Sequence, residues 1–259
     1  MKKITTITIA ALSLLTLFSA CKKETVNSPE PAQRKLVKVE LTGSGTNTNS
    51  YTYNTAGRLI ERKHNSFTHQ YDYSASVFLQ TTFDNSTAKK TYEVNVSSVA
   101  GEKVAGVNYI SFKTDGSINY TEPHTFQYNS ESYLTGRSYG TYNYVNEYTA
   151  GNLTKSSGTK SGAAFSEFLY EYYTDKTNNF NINWLEHTFQ SQFLNDKELF
   201  GKRNKNLLKK VSNLYATGNS YGYEFTYTFD ASGYITNCTA TESTNGVTSA
   251  VYNYEFFYQ

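Results

Sequence analysis

Tyr223-Glu224-Phe225-Thr226-Tyr227-Thr228-Phe229-Asp230-Ala231-Ser232-Gly233-Tyr234-Ile235 is the stretch that decides the fold. Its aromatic side chains recur at every second position, with Glu or Thr between them. A strand sends successive side chains to opposite faces, so this pattern makes one apolar face and one polar face. A helix would scatter the same rings around its circumference. The strand pattern stops at Asp230. Asp at the start and Gly at the end of a four-residue segment is the chemistry of a type I turn. Ile235 then restarts the apolar alternation, so the segment reads as two antiparallel strands joined by a tight turn.

Working outward, the same unit returns. Tyr51-Thr52-Tyr53-Asn54-Thr55-Ala56-Gly57-Arg58-Leu59 aligns with Tyr227 to Ile235. Phe126-Gln127-Tyr128-Asn129, followed by Tyr133-Leu134, is a copy without the glycine. Lys35-Leu36-Val37-Lys38-Val39 is similar to Leu207-Leu208-Lys209-Lys210-Val211. Tyr252, Tyr254 and Phe256 alternate with Asn253 and Glu255, and Tyr71/Tyr73 and Tyr142/Tyr144 are shorter examples. Such an internal repeat of strand and turn predicts an all-β chain. The nonapeptide resembles the YD repeat of Rhs-type shell proteins. We expect an extended antiparallel meander of roughly 10–13 strands, curved into a half-barrel.

Two further turns are expected as two-residue hairpins, at Asp115-Gly116 and Asn245-Gly246, because a type I′ turn needs positive φ at both centres. The second sets a register. Thr244 would face Val247, Ile235 would face Phe256, Asn237 would face Tyr254 and Thr239 would face Tyr252. Cys238 would then lie off the face that carries Tyr252, Tyr254 and Phe256.

Residues 165–211 depart from the repeat. Tyr170-Glu171-Tyr172-Tyr173-Thr174-Asp175 reads as a strand. From Trp184 to Phe200, the spacing of Leu185, Phe189 and Phe193 at i, i+4 and i+8 predicts a short helical insertion near 184–200. This segment, with strand hairpins on both sides, resembles a family of Bacteroidetes-type lipoproteins that carry a domain of unknown function with a porin-like β fold. The resemblance covers roughly residues 35–259. It implies a fold and an envelope location, and no reaction.

The N-terminal end carries an address. Lys2 and Lys3 precede a mostly apolar stretch from Ile4 to Leu17, followed by Leu17-Phe18-Ser19-Ala20-Cys21. This is the layout of an export signal, too short to span a bilayer. Small residues before a cysteine resemble the bacterial lipobox, which implies cleavage before Cys21 and lipidation of its thiol. Several acyl chains on one residue give stable anchoring. Residues 1–20 are therefore expected to be a signal peptide, 21–33 a lipidated cysteine with a flexible tether, and 34–259 a single β domain. Lys22 is not the Asp that marks inner-membrane retention, so the outer membrane is expected. Its periplasmic or surface face stays open, because Lys22 and Lys23 precede Glu24. Lys2 and Lys3 also account for the whole excess of 24 basic over 22 acidic residues in the 259-residue chain. Without them the chain is neutral, and bulk-charge attraction to nucleic acid has no basis.

Motifs for chemistry are few. No Gly-x-Ser-x-Gly elbow and no His-Glu-x-x-His occurs, and Gly43-Ser44-Gly45 lacks the Lys of a phosphate loop. His64 and His69, with Asp72 nearby, read as surface side chains rather than metal ligands. Glu167, Glu171 and Asp175 read as solvated strand positions, not as the paired carboxylates of a glycoside hydrolase. Cys238 reads as packing. No cofactor is implied. The aromatic excess, 24 Tyr and 16 Phe, is mostly sheet packing. Rings can also form a binding platform, and Trp184, Tyr172 and Tyr173 are the candidates for it. The expected role is non-enzymatic binding or scaffolding at the envelope. The expected partners are the membrane, through the anchor, and a glycan or an envelope protein. A glycan-binding accessory role is the first alternative and a carbohydrate-active hydrolase the second.

Overall fold

The structure is a computed structural model that describes residues 34–42, 47–73, 79–100, 103–178, 199–215 and 220–259. The sequence of strands is β1 (Leu36–Thr42), β2 (Asn47–Tyr53), β3 (Leu59–Lys63), β4 (Phe67–Asp72), β5 (Leu79–Asp84), β6 (Lys90–Ala100), β7 (Lys103–Phe112) and β8 (Ile118–Tyr128). It continues with β9 (Leu134–Tyr139), β10 (Tyr142–Thr149), β11 (Asn152–Lys160), β12 (Ala163–Thr177), β13 (Asn206–Tyr215), β14 (Ser220–Phe229), β15 (Ile235–Thr244) and β16 (Val247–Tyr258). Each strand pairs antiparallel with its sequence neighbours, and β1 pairs with β16. The all-β antiparallel meander is thus as expected. The half-barrel is corrected to a closed barrel of 16 strands. Closure removes both sheet edges, whose unpaired N–H and C=O groups would otherwise face solvent. Among the described residues there is no helix. The expected helical insertion falls almost wholly on 179–198, outside the described residues.

The repeated turn is one structure used three times. In 54–58, the Gly57 amide donates to the Asn54 carbonyl at 2.9 Å and the Arg58 amide to Asn54 Oδ1 at 2.9 Å. Asp230 receives the amides of Gly233, Ser232 and Tyr234 in the same way. Asn129 does so for the copy that lacks glycine, and there Ser132 takes the positive φ, +69°. Asn245-Gly246 has φ of +50° and +80°, the type I′ hairpin expected. Asp115-Gly116 is not a two-residue hairpin. The turn runs from Lys113 to Ser117, and only Gly116 has positive φ.

The register of β15 with β16 holds for Thr244↔Val247 and Ser243↔Thr248 and then slips by one. Ser249 is the extra residue of a bulge, so Glu242 faces Ala250 and Cys238 faces Tyr254. Cys238 therefore lies on the aromatic face, fully buried, and burial pushes its thiol up to about 12.

Directly opposed residues share a face, which sorts the wall into inside and outside. Inward positions hold Val39, Leu59, Val94, Phe126, Leu134, Leu153, Leu208, Phe225, Ile235 and Phe256, all at most 5% exposed. They concentrate toward the end of the barrel where β1 starts and β16 finishes. Residues 199–205 run across that end. Val104 donates its amide to the Leu199 carbonyl at 2.7 Å, Lys202 to Ser132 at 2.8 Å and Lys205 to Gly151 at 3.0 Å. Phe200 packs edge-on against Phe126, and buried Asn204 accepts the Leu153 amide at 2.6 Å. The strap thus ties the ends of β7, β9 and β11 together, and the charge of Arg203 reaches Tyr53 on the facing wall.

The outside carries ion pairs and small polar side chains, with apolar ones such as Val145, Leu169, Leu214 and Val251 exposed among them. Lys38–Glu40, Glu61–Lys63, Lys90–Glu93, Lys155–Glu167 and Lys210–Glu224 are ion pairs at 2.7–3.1 Å. Between them stand positions such as Thr52, Thr125, Asn143, Thr226, Asn237 and Asn253, all exposed.

Candidate functional site

At the other end of the barrel the inward residues change character. The row across β2 to β8 is Tyr51, Arg62, His69, Thr82, Tyr92, Ser111 and Tyr120. It continues with Tyr109, Glu122, His124, Arg137, Tyr139, Tyr142 and Tyr144 over β7 to β10. Tyr221, Tyr223, Glu242 and Tyr252 extend it over β14 to β16. This upper interior is tyrosine with charged side chains, where the lower interior is Val, Leu, Ile and Phe.

Two clusters organise it. In the first, rings stack from strand to strand. Tyr92 meets Tyr109 at 5.5 Å, Tyr109 meets His124 at 5.9 Å, and His124 lies flat on Tyr139 at 4.6 Å. Tyr139 continues to Tyr142 at 5.1 Å and Tyr144 at 6.1 Å. The Arg137 guanidinium caps Tyr139 at 4.4 Å and Tyr144 at 5.2 Å. His124 Nε2 meets the Glu122 carboxylate at 3.1 Å. The ring faces are therefore spent on each other and on Arg137, and what remains for a ligand is phenol hydroxyls and charged edges. In the second cluster, Glu242 accepts from Ser249 at 2.8 Å, Tyr252 at 2.9 Å and Tyr223 at 3.1 Å. The Ser249 hydrogen bond first, then those of the tyrosines, hold its carboxyl below the usual range.

His69 lies in the first row. Its Nδ1 is 2.9 Å from Thr82 Oγ1 and 3.3 Å from Gln80 Nε2. Burial first, then the charges of Arg62 and His64, hold its imidazole down at about 4. The neutral ring belongs to the folded state, while an unfolded chain protonates near the ordinary value of about 6.5. The folded pKa is the lower one. The stabilisation is therefore complete above pH 6.5 and is lost as pH falls toward 4, by up to about 3 kcal/mol. Urea midpoints recorded over that window should fall less steeply in His69→Gln than in the wild type. Equal slopes would refute the assignment.

The residues singled out from the sequence sit elsewhere. Cys21 and Trp184 lie outside the described residues, as does Gly43-Ser44-Gly45. Tyr172 and Tyr173 are both half-buried in β12 and pack on the core. Tyr173 donates to the Phe225 carbonyl at 2.7 Å, meets Tyr227 edge-on and lies under Lys176. Tyr173 thus reaches past β13 to tie β12 to β14. Glu167 pairs with Lys155 on the outer wall, and Asp175 is exposed beside Lys176. Among the described residues no group of His, Cys, Asp and Glu is placed to hold a metal ion. A shallow groove of about 460 Å³ crosses the outer wall over β2 to β5, lined by Ile60 and Leu79 with Glu61, Gln70 and Asp72. The signal that sequence reasoning missed is charge at inward positions. Arg62 and Arg137 stand in line with Tyr51 and Phe126, where the alternation calls for an apolar side chain.

A closed, 16-stranded antiparallel barrel with a packed lower interior and ion pairs on its outer wall is the class defined by this geometry. The chain is similar to solved porin-like proteins of Bacteroides. One, from Bacteroides uniformis, is 15% identical with a TM-score of 0.60 over 86% of this chain and 98% of its own. Another, from Bacteroides vulgatus, is 12% identical with a TM-score of 0.61 over 88% and 99%. Identities this low establish the fold alone. No family model matches the chain, and no curated protein matches it.

Proposed function

We propose that the protein is a lipid-tethered barrel of the bacterial outer membrane, held by Cys21, with a barrel that stands in water and a non-enzymatic binding role. The observation that carries the reading is the outer wall. A barrel that crosses a bilayer presents an apolar band to lipid and keeps its polar side chains inside. Here ion pairs, threonines and asparagines stand among outward apolar side chains such as Val145, Leu169, Leu214 and Val251, and Val, Leu, Ile and Phe side chains fill the lower interior. An interior packed with Val, Leu and Phe and crossed by a strap does not support conduction. A lipid anchor is the attachment that such a wall needs. The likeness to Bacteroides porin-like proteins supports an envelope setting. The ligand would enter the upper interior, where tyrosine hydroxyls and charged groups converge. This favours a polar small molecule such as a glycan over a protein partner, which would use the outer groove.

The test is fractionation. Residues 34–259 should be recovered from the aqueous fraction without detergent, the full chain from membranes, and Cys21→Ala from the aqueous fraction. A barrel that needs detergent, or a Cys21→Ala variant that stays membrane-bound, would overturn the reading. A glycan array probed with the protein then decides the ligand class, since silence across it removes the glycan.

A further inference from the structure

Arg62 has no carboxylate partner among the described residues. It points into the barrel from β3, directly between Tyr51 of β2 and His69 of β4. Its Nε donates to Asn49 Oδ1 at 3.1 Å. Among the described residues no carboxylate pairs with its guanidinium, and its two terminal nitrogens make no hydrogen bond. The Arg62 charge bears on the imidazoles of both His64 and His69. The adjacent carboxylates, Glu61 and Asp72, belong to the outer wall. Arg137, the other inward arginine, is answered by two tyrosine rings and by Glu122.

The surroundings of Arg62 complete a donor set. His69 Nδ1 lies between Gln80 Nε2 and Thr82 Oγ1; with Gln80 donating to it, the ring proton is on Nε2, which has no partner among the described residues. Two guanidinium N–H groups and one imidazole N–H on adjacent strands match the oxygens of one oxyanion. A guanidinium grips a carboxylate or a sulfate through two parallel hydrogen bonds. We propose that Arg62 and His69 form a binding site for the oxyanion of a small acidic ligand, a carboxylate, sulfate or phosphate ester, in the upper interior of the barrel. The site gives the binding reading above its ligand chemistry and rests on that reading only in requiring that a small molecule reach this end.

The experiment titrates the full chain with sodium glucuronate, sodium sulfate and sodium phosphate separately, against sodium chloride at equal ionic strength. The readouts are the affinity and the His69 ring resonances by NMR. Saturable binding of at least one oxyanion is expected, with movement of the His69 resonances. Arg62→Gln should weaken that binding about tenfold or more, and Arg62→Lys by less. Which of the three probes binds best separates a carboxylated sugar from a sulfated or phosphorylated ligand. No saturable binding by any of them would overturn the proposal, as would equal affinity in Arg62→Gln. Should Arg62→Gln fail to fold, the wild-type measurement decides. Binding that leaves His69 unmoved places the anion elsewhere and the proposal falls. A neutral glycan bound in the array, with no oxyanion effect, would leave the binding role intact and remove this site.

Discussion

Gly201→Ala is expected to lower the free energy of unfolding by roughly 2–5 kcal/mol, the sum of a left-handed backbone cost and overpacking. Gly201 has φ +90°, a conformation that alanine adopts only under strain. The new methyl would also stand 2.8 Å from the Ser132 carbonyl oxygen and 3.1 Å from the Tyr128 ring. The carbonyl is backbone and cannot swing aside. It also receives the Lys202 amide at 2.8 Å, so relief at Gly201 breaks the next bond of the strap. Phe200 on one side and Asn204 on the other are buried in the same few residues. The measurement is a urea midpoint for the variant against the wild type. A change within 0.5 kcal/mol, the scale of an ordinary surface substitution, would mean that the strap is not part of the cooperative structure.

The second large effect is a contrast between the two faces of one hairpin. Leu153 of β11 is wholly buried and Val145 of β10 is 60% exposed. Leu153→Ala should cost about 2–5 kcal/mol, because it removes apolar burial and leaves a void. Val145→Lys should stay within about 0.5 kcal/mol, because the new charge enters water beside Glu147 and Lys155. A lipid-facing Val145 would give the opposite result for the lysine, a loss of about 2–4 kcal/mol at mid-bilayer depth. The pair of substitutions therefore measures which face of the wall meets water. A costly Val145→Lys would sink the water-facing reading of the outer wall.

The parts of this fold that were legible in the sequence are local. Alternation in 223–229 and the three copies of the Asx turn need only neighbours a few residues away, and both are in the structure. Closure was not legible. It rests on β1 meeting β16, more than 200 residues apart, and no side-chain pattern in Leu36–Thr42 marks that partner. The slip at Ser249 was invisible for a different reason. Val247 to Val251 carries no aromatic residue to show which side faces in, so the pattern accommodates a bulge there. The interior site is not legible because the non-repeating segment around Tyr172 and Tyr173 is the one that looks like an exposed platform in sequence. The rings that gather are inward ones on regular strands. Their companions Arg62, Glu122 and Arg137 have the polarity that alternation assigns to the outside.

The pairing of β1 with β16 has a further meaning. Lys35 and Gln259 exchange both backbone hydrogen bonds at 3.0 Å, so the described domain begins where it ends. Every strand neighbours the next in sequence, and the last neighbours the first. The barrel is a ring lacking one covalent joint, and the position of that gap is incidental to the architecture. A short linker from Gln259 to Lys35, with a cut at Asn245-Gly246, would keep every ladder in place, as close termini elsewhere permit.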